Sequence, residues 1–280
     1  MKVFTTIKET NDYLSRQKDE GRHIGFVPTM GALHEGHLSL MRRAKEENDL
    51  LAVSVFVNPI QFNNVADLEK YPRDLDRDRK LLEQIGCDVL FAPEVEEMYP
   101  EPEKTAYDFG LLEQVMEGAS RKGHFNGVAI VVRKLFEIIG PHKAYFGEKD
   151  FQQLAIIQEL VRQYKIPVEI VPCPIVRETD GLAMSSRNER LTEKERKIAP
   201  EISRILQAAK AKMAEMSPRE LKEWVKGQFE KIPEFRLDYF EIADDTYLQP
   251  VENWDKNTGA MGFVAVFLGN VRLIDNIRFI

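Results

Sequence analysis

His34 and His37 are three residues apart, a spacing that puts both imidazoles on one face of a single helical turn. They lie in the stretch Phe26-Val27-Pro28-Thr29-Met30-Gly31-Ala32-Leu33-His34-Glu35-Gly36-His37. The apolar run Ile24 to Val27 reads as a buried strand, Pro28 and Gly31 punctuate it, and a helical pattern begins near Glu35. Free backbone N–H groups and the positive end of a helix dipole are expected to point out of such a turn, which suits an anion. Two imidazoles there could stabilise charge on a transferring phosphoryl group. Spacing alone also fits a surface pair. Zinc would need more ligands than two, and no third His or Cys is near in sequence.

Further along, other polar residues fall where strands give way to helices. Asn58 and Gln61 follow the apolar run Leu51 to Val57, and their uncharged amides suit hydroxyl or carboxylate groups of a small substrate. Gly147-Glu148-Lys149-Asp150 reads as a second strand–turn–helix junction, with Lys149 placed to meet phosphate charge and Gln153 one turn on. Ser185, Ser186 and Arg187 combine hydroxyls with a guanidinium fork, the makings of a phosphate cradle. The segment 117–128 reads as a polar, Gly-rich loop with Arg121, Lys122 and His124, able to close over phosphates or to serve as a plain connection. The charged stretch 67–84 reads as one helix with a solvated face, on which Asp76 or Asp78 could reach a magnesium ion through water.

The elements that must hold these residues follow from hydrophobic patterning. Continuous apolar strands alternate with helical segments through residue 176, the pattern of a parallel sheet covered on both faces. Beyond it come helices over 193–216 and 217–229, then strand-like runs 237–242, 261–268 and 271–274, the last two joined by Gly269-Asn270, a hairpin signal. The expected fold class is therefore α/β: a doubly wound parallel-sheet, Rossmann-like nucleotide-binding domain over 1–176 and a smaller C-terminal α+β domain over 177–280.

Composition narrows the function. The chain has 280 residues, 43% of them hydrophobic, and a net charge of −7. That balance argues against a nucleic-acid binder while leaving room for a local phosphate site. Cys87 and Cys173 belong to no CxxC or Cys/His cluster and read as small buried hydrophobes. With no signal-peptide pattern at the N-terminus and no membrane-length apolar run, a cytoplasmic protein is expected.

His34-Glu35-Gly36-His37 resembles the "HIGH" signature of class I aminoacyl-tRNA synthetases and related nucleotidyltransferases. The longer string from Pro28 to His37 resembles the pantothenate synthetase (pantoate–β-alanine ligase) family. The same resemblance extends, in order, through 56–62, Tyr71-Pro72-Arg73, 123–128, 147–154 and 181–188. It implies ATP-dependent ligation of pantoate and β-alanine through pantoyl adenylate, with AMP and pyrophosphate released, ATP and Mg²⁺ required, and a cytoplasmic homodimer whose C-terminal domain partly covers the site. Carried over by position, it implies ATP contacts from Met30, Gly31, Ala32, Leu33, His34, Glu35, Gly36, His37, Gly147, Glu148, Lys149, Asp150, Val176, Met184, Ser185, Ser186 and Arg187. Within that set His37, His34, Lys149 and Arg187 would carry the catalysis, with His37 the better proton donor. Gln61, Gln153 and Asn58 would hold pantoate, and the His124 loop would close near the pyrophosphate. Met184-Ser185-Ser186-Arg187 lacks both lysines of the synthetases' second signature, a departure from the wider superfamily that the narrower family shares.

Overall fold

A computed structural model describes residues 1–255 and 258–280. Its strands are β1 (Lys2–Phe4), β2 (Ile24–Thr29), β3 (Leu50–Val55), β4 (Val89–Phe91), β5 (Lys143–Gly147), β6 (Glu169–Cys173), β7 (Phe235–Asp244), β8 (Ala260–Leu268) and β9 (Val271–Arg278). Two compact units emerge. The first comprises 1–109, 121–148 and 153–174; the second comprises 110–120, 149–152 and 175–280.

The first unit is built on a six-stranded sheet in the order β1-β4-β3-β2-β5-β6, parallel throughout. The inner strands β2, β3 and β4 are buried on both faces, so alternate residues enter opposite cores. Phe26, Ala52, Phe91 and Phe146 pack into one with Leu14, Val128 and Leu154. Val27, Val53, Leu90 and Tyr145 pack into the other with Met41 and Leu82. That double burial is why these strands read as unbroken apolar runs rather than as alternating ones. The chain progresses outward from β2 through β3 on one side and from β5 to β6 on the other. The carboxyl ends of β2 and β5 therefore flank a topological switch point, where open α/β sheets bind ligands.

The second unit holds an antiparallel sheet, β7-β8-β9, with the helices Glu201–Lys212 and Pro218–Glu230. Its own core includes Ile202, Leu206, Leu221, Phe229, Phe240, Val264 and Leu273. The Gly269-Asn270 hairpin forms as the sequence indicates: Leu268 pairs with Val271 and Gly269 takes φ +56°.

Three element boundaries differ from the sequence reading. The single helix over 67–84 is two, Val65–Glu69 and Leu75–Gln84, because Pro72 cannot donate a backbone hydrogen bond and biases Tyr71 away from helical geometry. Pro200 likewise divides Glu193–Ile198 from Glu201–Lys212. The supposed loop 117–128 contains the helix Met116–Ser120 and the start of the helix His124–Ile139.

Candidate active site

The first unit presents the histidine pair. β2 ends at Thr29, whose hydroxyl donates to the Ser54 carbonyl (2.8 Å) and accepts the Gly31 N–H (3.2 Å). The chain then turns through Gly31 (φ +81°) and Ala32 (φ +49°), the second a left-handed conformation that costs a residue with a Cβ about 1 kcal/mol or more. What holds it is Asp78: its carboxylate accepts the Ala32 N–H (2.9 Å) and the Leu33 N–H (2.8 Å). Asp78 is 1% exposed, and a Cβ on Gly31 would lie 2.8 Å from its Oδ2. Burial pushes the Asp78 carboxyl above its ordinary range, and the Leu33 and Ala32 donors pull it back in part.

Two sequence expectations change here. The turn's N–H groups at 31–33 are not free for an anion, because Thr29 and Asp78 take them. Nor is Asp78 on a solvated face. A buried carboxylate beside unpaired turn donors is a strong acceptor, so the fold has turned that part of the presumed anion site inward. One signal was available: Asp78 shares a helix face with Leu82 (i, i+4), which is fully buried.

The imidazoles remain. His34 is the N-cap of the helix Glu35–Glu47 and His37 is its third residue. His34 Nδ1 accepts the Gly36 N–H (3.1 Å), and His37 Nδ1 accepts the His34 N–H (3.4 Å). An imidazole nitrogen that accepts a hydrogen bond is unprotonated, so in each neutral ring the proton is on Nε2. The ring centroids are 4.1 Å apart. The result is two N–H donors at the dipole-positive end of a helix, beyond the carboxyl end of β2. Glu35, between them, is ion-paired with Arg42 along the same helix, which holds its carboxyl below the usual range.

Beside this turn is an amide cluster. Asn58 caps the short 3-10 turn Pro59–Gln61 that follows β3 and is 1% exposed; Gln61 is 8% exposed. Asn58 Nδ2 donates to Gln61 Oε1 (3.2 Å), and Gln61 Nε2 donates to the Met30 sulfur (3.1 Å). The structure thus brings Met30, Asn58 and Gln61 together. Gln153 is half-buried on the helix Phe151–Tyr164. His124 is not on a loop but is the first residue of the helix His124–Ile139: its ring is buried, its Nδ1 donates to the Gln61 carbonyl (2.9 Å), and its Nε2 is 3.2 Å from Arg121 Nη1.

The second unit holds the remaining residues. Val176 and Met184 are brought together when the Met184 N–H donates to the Val176 carbonyl (3.0 Å) across a turn closed by Gly181 at φ +94°. Ser185 then caps the 3-10 helix Ser186–Arg190, its hydroxyl accepting the Arg187 N–H (3.2 Å). Ser186 is buried and Arg187 half-buried. Lys149, with a 17% exposed side chain, lines a small cavity with Ser185, Asn188 and Asp275, and its Nζ is 3.8 Å from Asp150. Residues the sequence did not mark are bonded to this lining. Arg177 makes a bidentate pair with Asp275 (2.7 and 2.9 Å), and Asn276 Nδ2 donates to the Lys149 carbonyl (3.0 Å). These partners are 98 and 127 residues apart, so no local pattern could announce them.

Both cysteines are free and buried, and burial pushes the Cys87 thiol up to about 12, which suits packing and not nucleophilic chemistry. Among the described residues no group of three or more His, Cys, Asp or Glu side chains could hold a metal, and no helix is long and apolar enough to cross a membrane.

Comparison with known proteins adds to this geometry. The family model described as Pantoate-beta-alanine ligase matches residues 2–278. A pantothenate synthetase of Bacteroides fragilis is 54% identical over 100% of this chain and 99% of its own length. A solved pantothenate synthetase of Thermus thermophilus is 47% identical and superposes with a TM-score of 0.94, covering 100% of this chain and 99% of that one. A Francisella tularensis pantoate-beta-alanine ligase, solved in complex with Beta-gamma ATP and β-alanine, is 36% identical with a TM-score of 0.80, covering 100% and 98%.

Proposed function

The chain belongs to the pantoate–β-alanine ligase family and is an ATP-using ligase that forms pantothenate; from that premise we propose that it works through a pantoyl-adenylate intermediate, bound and stabilised by its own side chains. A pantoate carboxylate oxygen attacks the α-phosphorus of ATP and pyrophosphate departs. The β-alanine amine then attacks the acyl carbon, the C–N bond forms, AMP leaves with the C–O bond electrons, and the amine releases a proton. No covalent bond to the protein is required, so catalysis is positioning and charge stabilisation.

The observation that carries this reading is the hydrogen bonding of the two histidines, from which their tautomer follows. Both Nδ1 atoms accept backbone N–H groups, so both rings offer Nε2–H donors. Neutral donors of this kind favour the charge that builds on the phosphoryl oxygens of the transition state over the ground state. His37 and His34 take that role, with His37 as the proton donor. Met30 to Leu33, Glu35, Gly36, Gly147 and Glu148 shape the nucleotide site in the first unit. In the second, Lys149 and Arg187 supply positive charge to the phosphates, Ser185 and Ser186 supply hydroxyls, Asp150 reaches the ribose, and Val176 and Met184 meet the adenine. Gln61, Asn58 and Gln153 hold pantoate through hydrogen bonds, since uncharged amides suit a hydroxy acid. Mg²⁺ arrives on the phosphates of ATP as part of the substrate. The working form is a cytoplasmic homodimer with no nucleic-acid partner.

The test is pyrophosphate release from ATP and D-pantoate with β-alanine first withheld, then added. A burst of about one equivalent per site, followed by turnover on addition, is expected for a bound adenylate consumed by the amine. Turnover that never separates from β-alanine addition would reject the adenylate. Bound ATP with neither burst nor turnover would reject the role assignments as a whole.

A further inference from the structure

Asn58 and Gln61 each carry an amide with a donor end and an acceptor end, and which end faces a ligand decides what that ligand must offer. The surroundings settle the question. Asn58 Nδ2 lies 3.1 Å from the Gly127 carbonyl oxygen, which can only accept, so the nitrogen end must point there. That approach is possible because residue 127 is glycine: a Cβ would lie 2.5 Å from the Ile60 carbonyl oxygen and 2.7 Å from Gln61 Cα. The second proton on the same nitrogen goes to Gln61 Oε1 at 3.2 Å. Asn58 Oδ1 is left facing the Tyr99 hydroxyl at 2.9 Å, and since that oxygen cannot donate, Tyr99 does.

The polarity then passes along the cluster. Gln61 Oε1 faces Asn58, so the Gln61 Nε2 points away from Asn58, to the Met30 sulfur at 3.1 Å. A thioether is a weak acceptor, readily replaced by a ligand oxygen. The Gln61 backbone is fixed independently by the His124 ring. Tyr99 is held in place by Phe56, 6.1 Å between ring centroids, and by Lys134 over its ring at 5.5 Å. Burial raises its hydroxyl's pKa, which keeps it a donor throughout the neutral range.

We infer that Tyr99 is a positioning residue for the acid substrate: by donating to Asn58 Oδ1 it locks the Asn58–Gln61 relay so that Gln61 presents an N–H, selecting a ligand oxygen that accepts. This deepens the proposed role of Gln61 in holding pantoate and rests on that reading. Without the hydroxyl, the buried Asn58 Oδ1 loses its donor and only the Gly127 carbonyl still orients that amide, so the Asn58–Gln61 bond that sets the Gln61 N–H is held less firmly.

The experiment compares Tyr99→Phe, Gln61→Ala and their combination, measuring KM for pantoate, KM for ATP, kcat and the unfolding temperature of each. Tyr99→Phe keeps the ring and is expected to raise the pantoate KM about tenfold, with the ATP KM within about twofold and little change in unfolding temperature. On the Gln61→Ala background the same change should add less than about twofold, because the relay then ends before the ligand. A Tyr99→Phe enzyme that matches wild type, or that weakens both substrates equally, overturns the inference while a selective Gln61→Ala effect leaves the pantoate reading standing. Failure of Gln61→Ala to affect pantoate overturns that reading first. Gln61→Glu gives a check independent of Tyr99: isosteric but without donors, it should raise the pantoate KM at least as much as alanine does. Tighter pantoate binding by the glutamate variant than by alanine would also overturn the inference.

Discussion

Asp78 shows how a residue outside the reacting groups controls them. Its carboxylate is the acceptor for two successive N–H groups in a turn whose second residue, Ala32, is in a left-handed conformation. Asp78→Ala would bury both donors unsatisfied and release that strain, so a loss of about 2–4 kcal/mol is expected, read from denaturant unfolding. Asp78→Asn can accept one N–H but must aim its NH₂ at the other, and should lose activity more than stability. An Asn variant with wild-type turnover would show that the turn holds its shape unaided. For the reacting groups themselves, His37→Ala and Lys149→Ala are each expected to lower kcat by about 10²-fold or more while far-UV circular dichroism is preserved, because each removes a single preorganised donor. Unchanged turnover in both would end the mechanism. The histidines were legible in sequence because two of one rare residue type fell in a strand–turn–helix pattern. Asp78 was not, because a carboxylate among charged neighbours reads as solvated. Only its shared face with Leu82 betrayed it.

At the scale of elements, the sheet was read well and its edges poorly. The central strand Leu50–Val55 has five apolar residues of six, nearly all buried, and one serine does not blur such a run. β1 has three residues, two of them exposed, too short and too wet to leave a pattern. The start of the helix His124–Ile139 was missed for a different reason: glycines at 123 and 127 read as loop, whereas Gly127 is there for a close backbone approach that sequence cannot display. The helix Glu35–Glu47 offers a test of how an element is anchored. Its last residue, Glu47, bonds Arg43 on the preceding turn (2.8 Å) and, on β5, the Tyr145 hydroxyl (2.9 Å) and Lys143 (3.2 Å). Arg43 first, then Tyr145, hold the carboxyl down from 4.5 to about 2. A depressed carboxylate stabilises the fold above the unfolded value, and that contribution disappears as pH falls from 4.5 towards 2. The side chain is 31% exposed, so screening limits the effect to roughly 1 kcal/mol or less. Thermal melts across that interval should fall less steeply for Glu47→Gln than for wild type. Parallel slopes would show that Glu47 does not anchor the helix.

For the whole molecule, the contiguous division at 176/177 and the compact units make different predictions about what can fold alone. The second unit draws on segments far upstream of its sheet. Arg272 on β9 makes a bidentate pair with Glu117 (2.8 and 2.7 Å) and also bonds Asp238; the Tyr239 hydroxyl donates to the same Glu117 (2.9 Å). Gln152 fixes that upstream segment, donating to the Leu112 and Val115 carbonyls and accepting the Glu117 N–H. Phe151 packs on Phe263, 5.7 Å between ring centroids, and Asn276 bonds the Lys149 carbonyl. Partners up to 155 residues apart leave no local trace in sequence, which is why a contiguous reading sees a domain edge and not these insertions. A fragment of residues 177–280 keeps its apolar core but loses Glu117 from a largely buried ion pair. Removing one partner of such a pair leaves a charge without compensation, a cost of about 3–5 kcal/mol, comparable with the whole stability of a domain this small. The fragment is therefore expected to show helical circular dichroism without a cooperative thermal transition, and the full chain to unfold cooperatively. A sharp, reversible melt for 177–280 alone would establish the contiguous domain as autonomous and reduce the upstream segments to accessories. If instead the fragment fails, adding a separate peptide of residues 110–120 should restore part of the transition, and Glu117→Gln in that peptide should weaken the rescue.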